Sequence, residues 1–280
     1  MRPRPPREGQ DFPWWLVVLG LAAAYAGWQI WASPLHAQIL SMLVRGIGVT
    51  LTVSAGAFAG ASALGLALAL AGLSRHLVLR QAARVYIEVM RGLPIIVLLL
   101  YVAFVLVPGG IWALNRVLEP LGATPLLTRD VPLIWRAGAA LVLAYAAFLA
   151  ELFRAGIQSV DQGQVEAAQA LGLTGWQRFR LIVLPQALRI ILPALGNELI
   201  AMIKDSSLVS VLGVTDVTQL GKVVAAGNFR YFETYNLVAG IYLTLTVGLS
   251  LILRRIEVSI RLRGPDRQTG RGSRRRGNRS

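Results

Sequence analysis

The chain has no cysteine, and its only imidazoles are His36 and His76. The first absence excludes disulfides, thiolate nucleophiles and thiolate metal sites. Two histidines forty positions apart in sequence are too few for a metal cluster, and they leave a serine nucleophile without the base it needs. Charge is scarce as well: 15% of the 280 residues are charged and 55% are hydrophobic, with a mean hydropathy of +0.58. That balance is too apolar for an ordinary soluble domain and implies a polytopic membrane protein. A phosphate-binding loop is missing too. The only Gly-Lys pair, Gly221-Lys222, lacks the upstream glycine and is followed by Val223, so the G-x-x-x-x-G-K-[ST] pattern is not met. No H-E-x-x-H motif occurs. The chain is therefore expected to be a non-enzyme without metal, catalytic residue or cofactor of its own.

What is present is a series of apolar stretches long enough to cross a bilayer. Residues 13–32 form the first, with Trp14, Trp15, Trp28 and Trp31 near its ends, where amphipathic rings favour the headgroup region. It is longer than a signal-peptide core and no tight A-x-A site follows it, which argues against cleavage. Residues 46–72 form a second span rich in small residues, and Gly56 with Gly60 makes a G-x-x-x-G pair suited to close helix packing. Residues 74–92 are amphipathic and basic, as at an inner membrane surface. Further spans are expected at 94–114, 132–153, 188–213 and 236–254, with a loop at 115–131 and a short external helix within 214–235. The fold class is thus all-α, a membrane helical bundle with six transmembrane helices. Arginines are concentrated at the N-terminus, at 75–91, at 154–180 and in the tail, so the positive-inside rule places both termini and the 154–187 loop in the cytosol. Residues 1–12 read as a basic cytosolic segment and 256–280 as a basic, disordered cytosolic tail. The tail's arginines suit the membrane surface better than nucleic acid.

The polar stretch 166–185, EAAQALGLTGWQRFRLIVLP, has an internal design. Good helix formers from Glu166 stop at Gly172, and Thr174 with Gln177 has the form of a capping box that restarts a helix. Pro185 is expected to disturb that helix on its return to the membrane. Ala167, Ala168 and Ala170 would let another backbone come close, while Leu171, Trp176 and Phe179 offer apolar area. Glu166-Ala167-Ala168, then Gly172, then Ile182-Val183-Leu184-Pro185 resembles the EAA loop of the permease subunits of type I ABC importers. Residues 86–94, 144–172 and 204–213 resemble the members that carry polar amino acids of the histidine, glutamate, glutamine, arginine and opine group. The resemblance implies a permease domain over 44–255, with 13–32 as an additional N-terminal transmembrane helix. It also implies a multi-pass location in the bacterial cytoplasmic membrane. The partners it implies are an ATPase pair that binds ATP and Mg, an extracytoplasmic substrate-binding protein, and a second permease subunit forming a homo- or heterodimer. Glu166, Ala167, Ala168, Gly172, Trp176 and Pro185 would then couple to the ATPase.

The fifth span carries Glu198, Lys204 and Asp205 inside an apolar frame, where ionisable residues usually face a bundle interior or a wet cavity. Glu198 and Asp205 are seven apart and share a helix face, with Lys204 on a different side. With Tyr145 and Glu151 they are the candidate substrate path for a zwitterion, an ion pair or kink being the plainer reading of the same residues. Two other functions fit the composition: a secondary, ion-gradient-driven amino acid transporter, and an ABC permease for another small solute.

Overall fold

The computed structural model describes residues 14–262, so the segments 1–12 and 263–280 of the expected basic termini lie outside the described residues. Among the described residues all regular structure is helical. Helix α1 (Trp14–Ala32) is followed after one residue by α2 (Pro34–Val44), and a tight turn leads into α3 (Ile47–Gly72). The amphipathic α4 (Leu77–Gly92) comes next. Pro94 occupies the N-cap of α5 (Ile95–Tyr101), where its missing N–H removes no intrahelical bond. Then come α6 (Val107–Leu118) and α7 (Leu133–Gln158). The loop elements are α8 (Gln162–Ala170) and α9 (Gly175–Arg178). The chain continues through α10 (Leu184–Asp205), the seven-residue 3-10 helix Ser206–Leu212, α11 (Val217–Asn228) and α12 (Tyr231–Leu262).

Among the described residues, five stretches are long and apolar enough to cross a membrane: Pro34–Gly72, Ile95–Leu121, Leu133–Gln158, Gly175–Leu212 and Tyr231–Ile256. The first of the six expected spans corresponds to the 19-residue α1, which is not one of these five. Several boundaries differ from the sequence reading. Residues 34–44 form a helix, the span expected to end at 114 runs to Leu118, the span expected to end at 153 runs to Gln158, and α12 runs past 254 to Leu262. Each extension adds helix at a membrane boundary, where polar and charged side chains hide from a hydropathy reading while the backbone ladder continues.

Two π-helical turns interrupt the spans, at Val102–Leu106 and Phe179–Val183. In each, the residue just before a proline closes the widened turn. Val107 N–H donates to Val102 O and Leu184 N–H to Phe179 O, with Pro108 and Pro185 following directly. A proline cannot donate to the carbonyl four residues back, and its ring crowds that carbonyl; one i→i+5 turn makes room for it without breaking the rod. Pro185 therefore does not separate a loop helix from the fifth span. From Gly175 to Asp205 the helix is continuous.

The core is centred on α7, which makes its most extensive contact with α3. Small residues permit the approach. A Cβ on Gly65 would lie 2.9 Å from Leu149 Cβ, 3.0 Å from Ala146 O and 3.1 Å from Ala150 N, and one on Gly60 would lie 2.9 Å from Val142 Cγ2. Gly56, the other half of the G-x-x-x-G pair, has nothing within 4 Å. The tight contact thus runs through Gly60 and Gly65. α4 is fixed to the same core by the Tyr86 hydroxyl, which donates to Leu143 O at 2.9 Å. A second apolar cluster joins Ile39 and Leu43 of α2 to Val217 of α11 and to Leu237, Val238 and Ile241 of α12.

Gly65→Ala is expected to destabilise the fold by about 1–3 kcal/mol, because the new methyl meets backbone that cannot yield. Gly56→Ala is expected to be neutral or slightly stabilising. Thermal unfolding of the two variants in detergent, followed by circular dichroism, checks the pair.

Candidate functional site: the polar loop and the carboxylate face

The loop is built by three local devices. Asp161 caps α8, its Oδ1 accepting from Gly163 N–H at 2.7 Å. Helix α8 then stops at Gly172, whose φ of +78° is the left-handed region that glycine enters without side-chain strain. Gly172 N–H donates to Gln169 O (2.9 Å) and Leu173 N–H to Ala168 O (3.1 Å), the bond pair of a Schellman ending. Thr174 restarts the chain as a capping box. Its N–H donates to Gln177 Oε1 at 2.8 Å, and Gln177 N–H donates to Thr174 Oγ1 at 3.3 Å. The Arg178 guanidinium donates to Gln169 Oε1 across the elbow, and Gln186 Nε2 to Gln164 Oε1 at 2.6 Å, so both arms of the loop are tied together.

The face left outward is apolar at its tip. Leu171 is 82% exposed and Trp176 67%, with the Trp176 ring stacked on Phe179 at 5.9 Å. Glu166, Ala167, Gly172 and Pro185 are exposed beside them. Ala168 is not: at 4% exposure it turns inward, one helical step from Ala167. The alanine run is divided between packing and surface.

On the membrane side, the Tyr145 hydroxyl donates to Asp205 Oδ2 at 2.8 Å, joining α7 to the last residue of α10. Tyr145 is 3% exposed. Glu198 lies two turns earlier on the Asp205 face and within electrostatic reach of both groups. Glu151 and Lys204 are placed elsewhere. Glu151 forms an ion pair with Arg154 on its own helix, and Arg154 also donates to Gln158 Oε1 at 2.9 Å. Lys204 is exposed on a different side of α10. Three of the five candidate path residues therefore come together.

Two polar constellations were missed in the sequence. Buried Arg136 at the start of α7 donates to Val131 O (2.9 Å), to Ala103 O (3.3 Å) and to Thr128 O, pinning the 123–131 loop onto the first π-turn. Asp216 is fully buried and caps α11. It accepts from Gln219 N–H (2.8 Å) and from the Tyr242 hydroxyl (3.0 Å). Burial pushes its carboxyl above the usual range, against the opposing pull of these bonds and of Lys222. Lys222 itself donates to Ser210 Oγ at 2.9 Å, tying α11 to the 3-10 segment. The only sequence signal was an Asp before an apolar run with Gln three residues later, and a cap of that form does not reveal burial.

The sequence profile of the binding-protein-dependent transport system inner membrane components matches residues 61–261. The chain belongs to that family. It is an ABC importer permease, an integral inner-membrane multi-pass transport subunit. The permease is 38% identical over 190 residues to the glutamine transport system permease protein GlnP of Escherichia coli (strain K12), covering 67% of this chain and 80% of that one. It is 37% identical over 184 residues to the L-cystine transport system permease protein TcyL of Bacillus subtilis (strain 168), covering 66% and 72%. Among solved structures, an amino acid ABC transporter crystallised with histidines superposes with a TM-score of 0.67 at 34% identity, covering 80% of this permease and 96% of that chain. The inward-facing methionine transporter MetNI shares the fold with a TM-score of 0.62. This membership leaves the ion-gradient alternative without support.

Gly172→Val is expected to weaken the elbow by about 1–2 kcal/mol, the cost of a left-handed residue with a Cβ, and Gly172→Asn by less. Hydrogen exchange checks this: amides of α8 and α9 should exchange faster in the valine variant, with those of α7 unchanged.

Proposed function

We propose that this permease imports a polar amino acid, and that Tyr145, Glu198 and Asp205 receive its ammonium or side-chain cation. The observation that carries the reading is the Tyr145 to Asp205 hydrogen bond beside Glu198, a two-carboxylate face inside an apolar bundle. Such a face suits a ligand that brings positive charge with it, since the attraction offsets the cost of desolvating both partners. The relatives named for glutamine and cystine and the transporter crystallised with histidines support an amino acid over another small solute. Glu151 and Lys204 stand apart from this face, which argues for a role at the mouth of the path.

The exposed elbow is the docking element for a separate ATPase pair, which binds ATP and Mg. Glu166, Ala167, Gly172 and Trp176 meet the groove, and Ala168 and Pro185 set the angle at which the elbow is presented. A second permease subunit completes the membrane part, and an extracytoplasmic binding protein delivers the substrate. Both termini and the elbow face the cytosol, in line with the arginine distribution.

Proteoliposomes carrying the permease with its ATPase and binding protein test the reading. Asp205→Asn is expected to raise the KM for uptake by roughly tenfold, the loss of one hydrogen bond to a charged group, while the ATPase still co-purifies. Glu166→Arg is expected to release the ATPase while the permease still inserts. Unchanged KM in the first variant and equal ATPase recovery in the second refute the two assignments separately.

Orientation has its own check, since the chain has no cysteine to give background. Ser159→Cys is expected to react with a membrane-impermeant maleimide only from the cytosolic side, and Thr124→Cys only from outside. The reverse pattern inverts the topology.

A further inference from the structure

A cavity of about 690 Å3 lies between the C-terminal half of α1, the start of α2 and the first half of α12. Its walls are apolar and small. Gly27 and Ile30 line one side, Leu237, Gly240 and Ile241 the other. It reaches the surface of the bundle between Tyr25 and Phe232, both exposed. α12 lies in a stretch long and apolar enough to cross a membrane and α1 is a 19-residue apolar helix, so the space between them faces bilayer rather than solvent. An apolar space of this kind does not hold water, which needs two to four polar partners, and leaving it empty forfeits packing energy. Hydrocarbon is the filler that the surroundings supply.

The end of the cavity nearest the α1–α2 junction is different in kind. His36, Glu233 and Asn236 line it. The Nδ1 of His36 is buried without a hydrogen-bond partner. Glu233 is only loosely paired: its contact to the exposed Arg230 is stretched to 3.5 Å. A loosely paired carboxylate at this end, beside the Asn236 amide, suits a ligand that ends in an ammonium.

We propose that this cavity is a binding site for a phospholipid with an amine-bearing headgroup, one acyl chain lying between α1 and α12 and the headgroup ammonium at Glu233. Under the topology above, the lipid belongs to the outer leaflet. That leaflet assignment rests on the proposed function; the occupancy of the cavity does not. The α1–α2 wall precedes residue 61, where the family match begins, so the site is formed with an N-terminal element that the matched core does not contain. A lipid here would fix α1, whose protein contacts are otherwise with α2 and, sparsely, with α12.

Native mass spectrometry of the purified full chain, offered phosphatidylethanolamine or phosphatidylglycerol in mixed micelles, tests the site. The wild type is expected to retain one phosphatidylethanolamine roughly tenfold better than phosphatidylglycerol, as for one hydrogen bond to a charged group. Gly240→Leu grows a side chain into open space, with nothing within 4 Å of its Cβ, and is expected to lose both lipids. Gly27→Leu repeats this from the opposite wall, and Gly109→Leu, equally open but on α6, is expected to retain lipid as the wild type does. Glu233→Gln is expected to keep a lipid but lose the preference. Lipid retention in both cavity-filling variants at the level of Gly109→Leu overturns the proposal. So does a crosslink between chains carrying Gly27→Cys and Gly240→Cys, which would show a second copy in the cavity. Equal retention of the two lipids by the wild type overturns the headgroup assignment.

Discussion

The close approach of α3 to α7 at Gly65 is the contact on which the rest of the bundle depends. Lipid tails are as apolar as leucine, so helices in a membrane are not driven together by a hydrophobic effect; dispersion contacts and exact fit must do it. With Leu149, Ala146 and Ala150 all about 3 Å from where a Cβ would stand, Gly65 lets two backbones meet over the middle of α7. That contact buries one side of α7, and α10 covers another, with Ile191 against Gly156. Tyr145 lies in the resulting core and can reach Asp205 only because α7 is held at this depth and rotation. The site geometry is thus a consequence of a glycine that meets none of the charged residues of the path.

A second constraint is that no backbone group in hydrocarbon can be left without a partner. Prolines are the threat to that rule, and the two π-turns answer it. Each accommodates a proline by bonding the residue in front of it five positions back, so that the helix widens without breaking. At the first of them Arg136 reaches across to Ala103 O, adding a donor to a carbonyl of the widened turn. Its charge is spread over carbonyls at the N-terminal end of α7, and the 123–131 loop is fixed in the same step.

What the sequence discloses is what depends on near neighbours. The elbow at Gly172 and the Thr174–Gln177 capping box are set by residues 172–177, and both are found where the residue types put them. The spans follow from apolar length in the same way. Choices between helix faces are not local. Whether Gly56 or Gly65 meets α7, whether Ala168 or Ala167 faces outward, and whether Glu151 joins Asp205 or its own Arg154 depend on how helices rotate against partners far away in sequence. The continuity of α9 with α10 was hidden for another reason. Proline reads as a break, and only the π-turn in the structure reveals that the ladder continues past it.

That continuity has a mechanical consequence under the proposed function. From Gly175 to Asp205 one helical rod runs from beside the exposed Trp176 to the carboxylate held by Tyr145, about 45 Å at the usual rise per residue. A displacement at the elbow needs no relay of side chains to reach the path, because the backbone itself connects them. The rod can yield at two places, the π-turn before Pro185 and the interior Pro193, where the hydrogen-bond ladder is thinned. Beyond Asp205 the helix tightens into a seven-residue 3-10 segment, longer than such segments usually persist, and Lys222 bonds it to α11 through Ser210. Asp205 therefore lies at the junction between a stiff rod that can be pushed and a 3-10 segment anchored to α11. A group at that junction is the one whose distance from Tyr145 changes most when either end moves, which is where a substrate-binding carboxylate has to be if ATP-driven motion is to alter its grip.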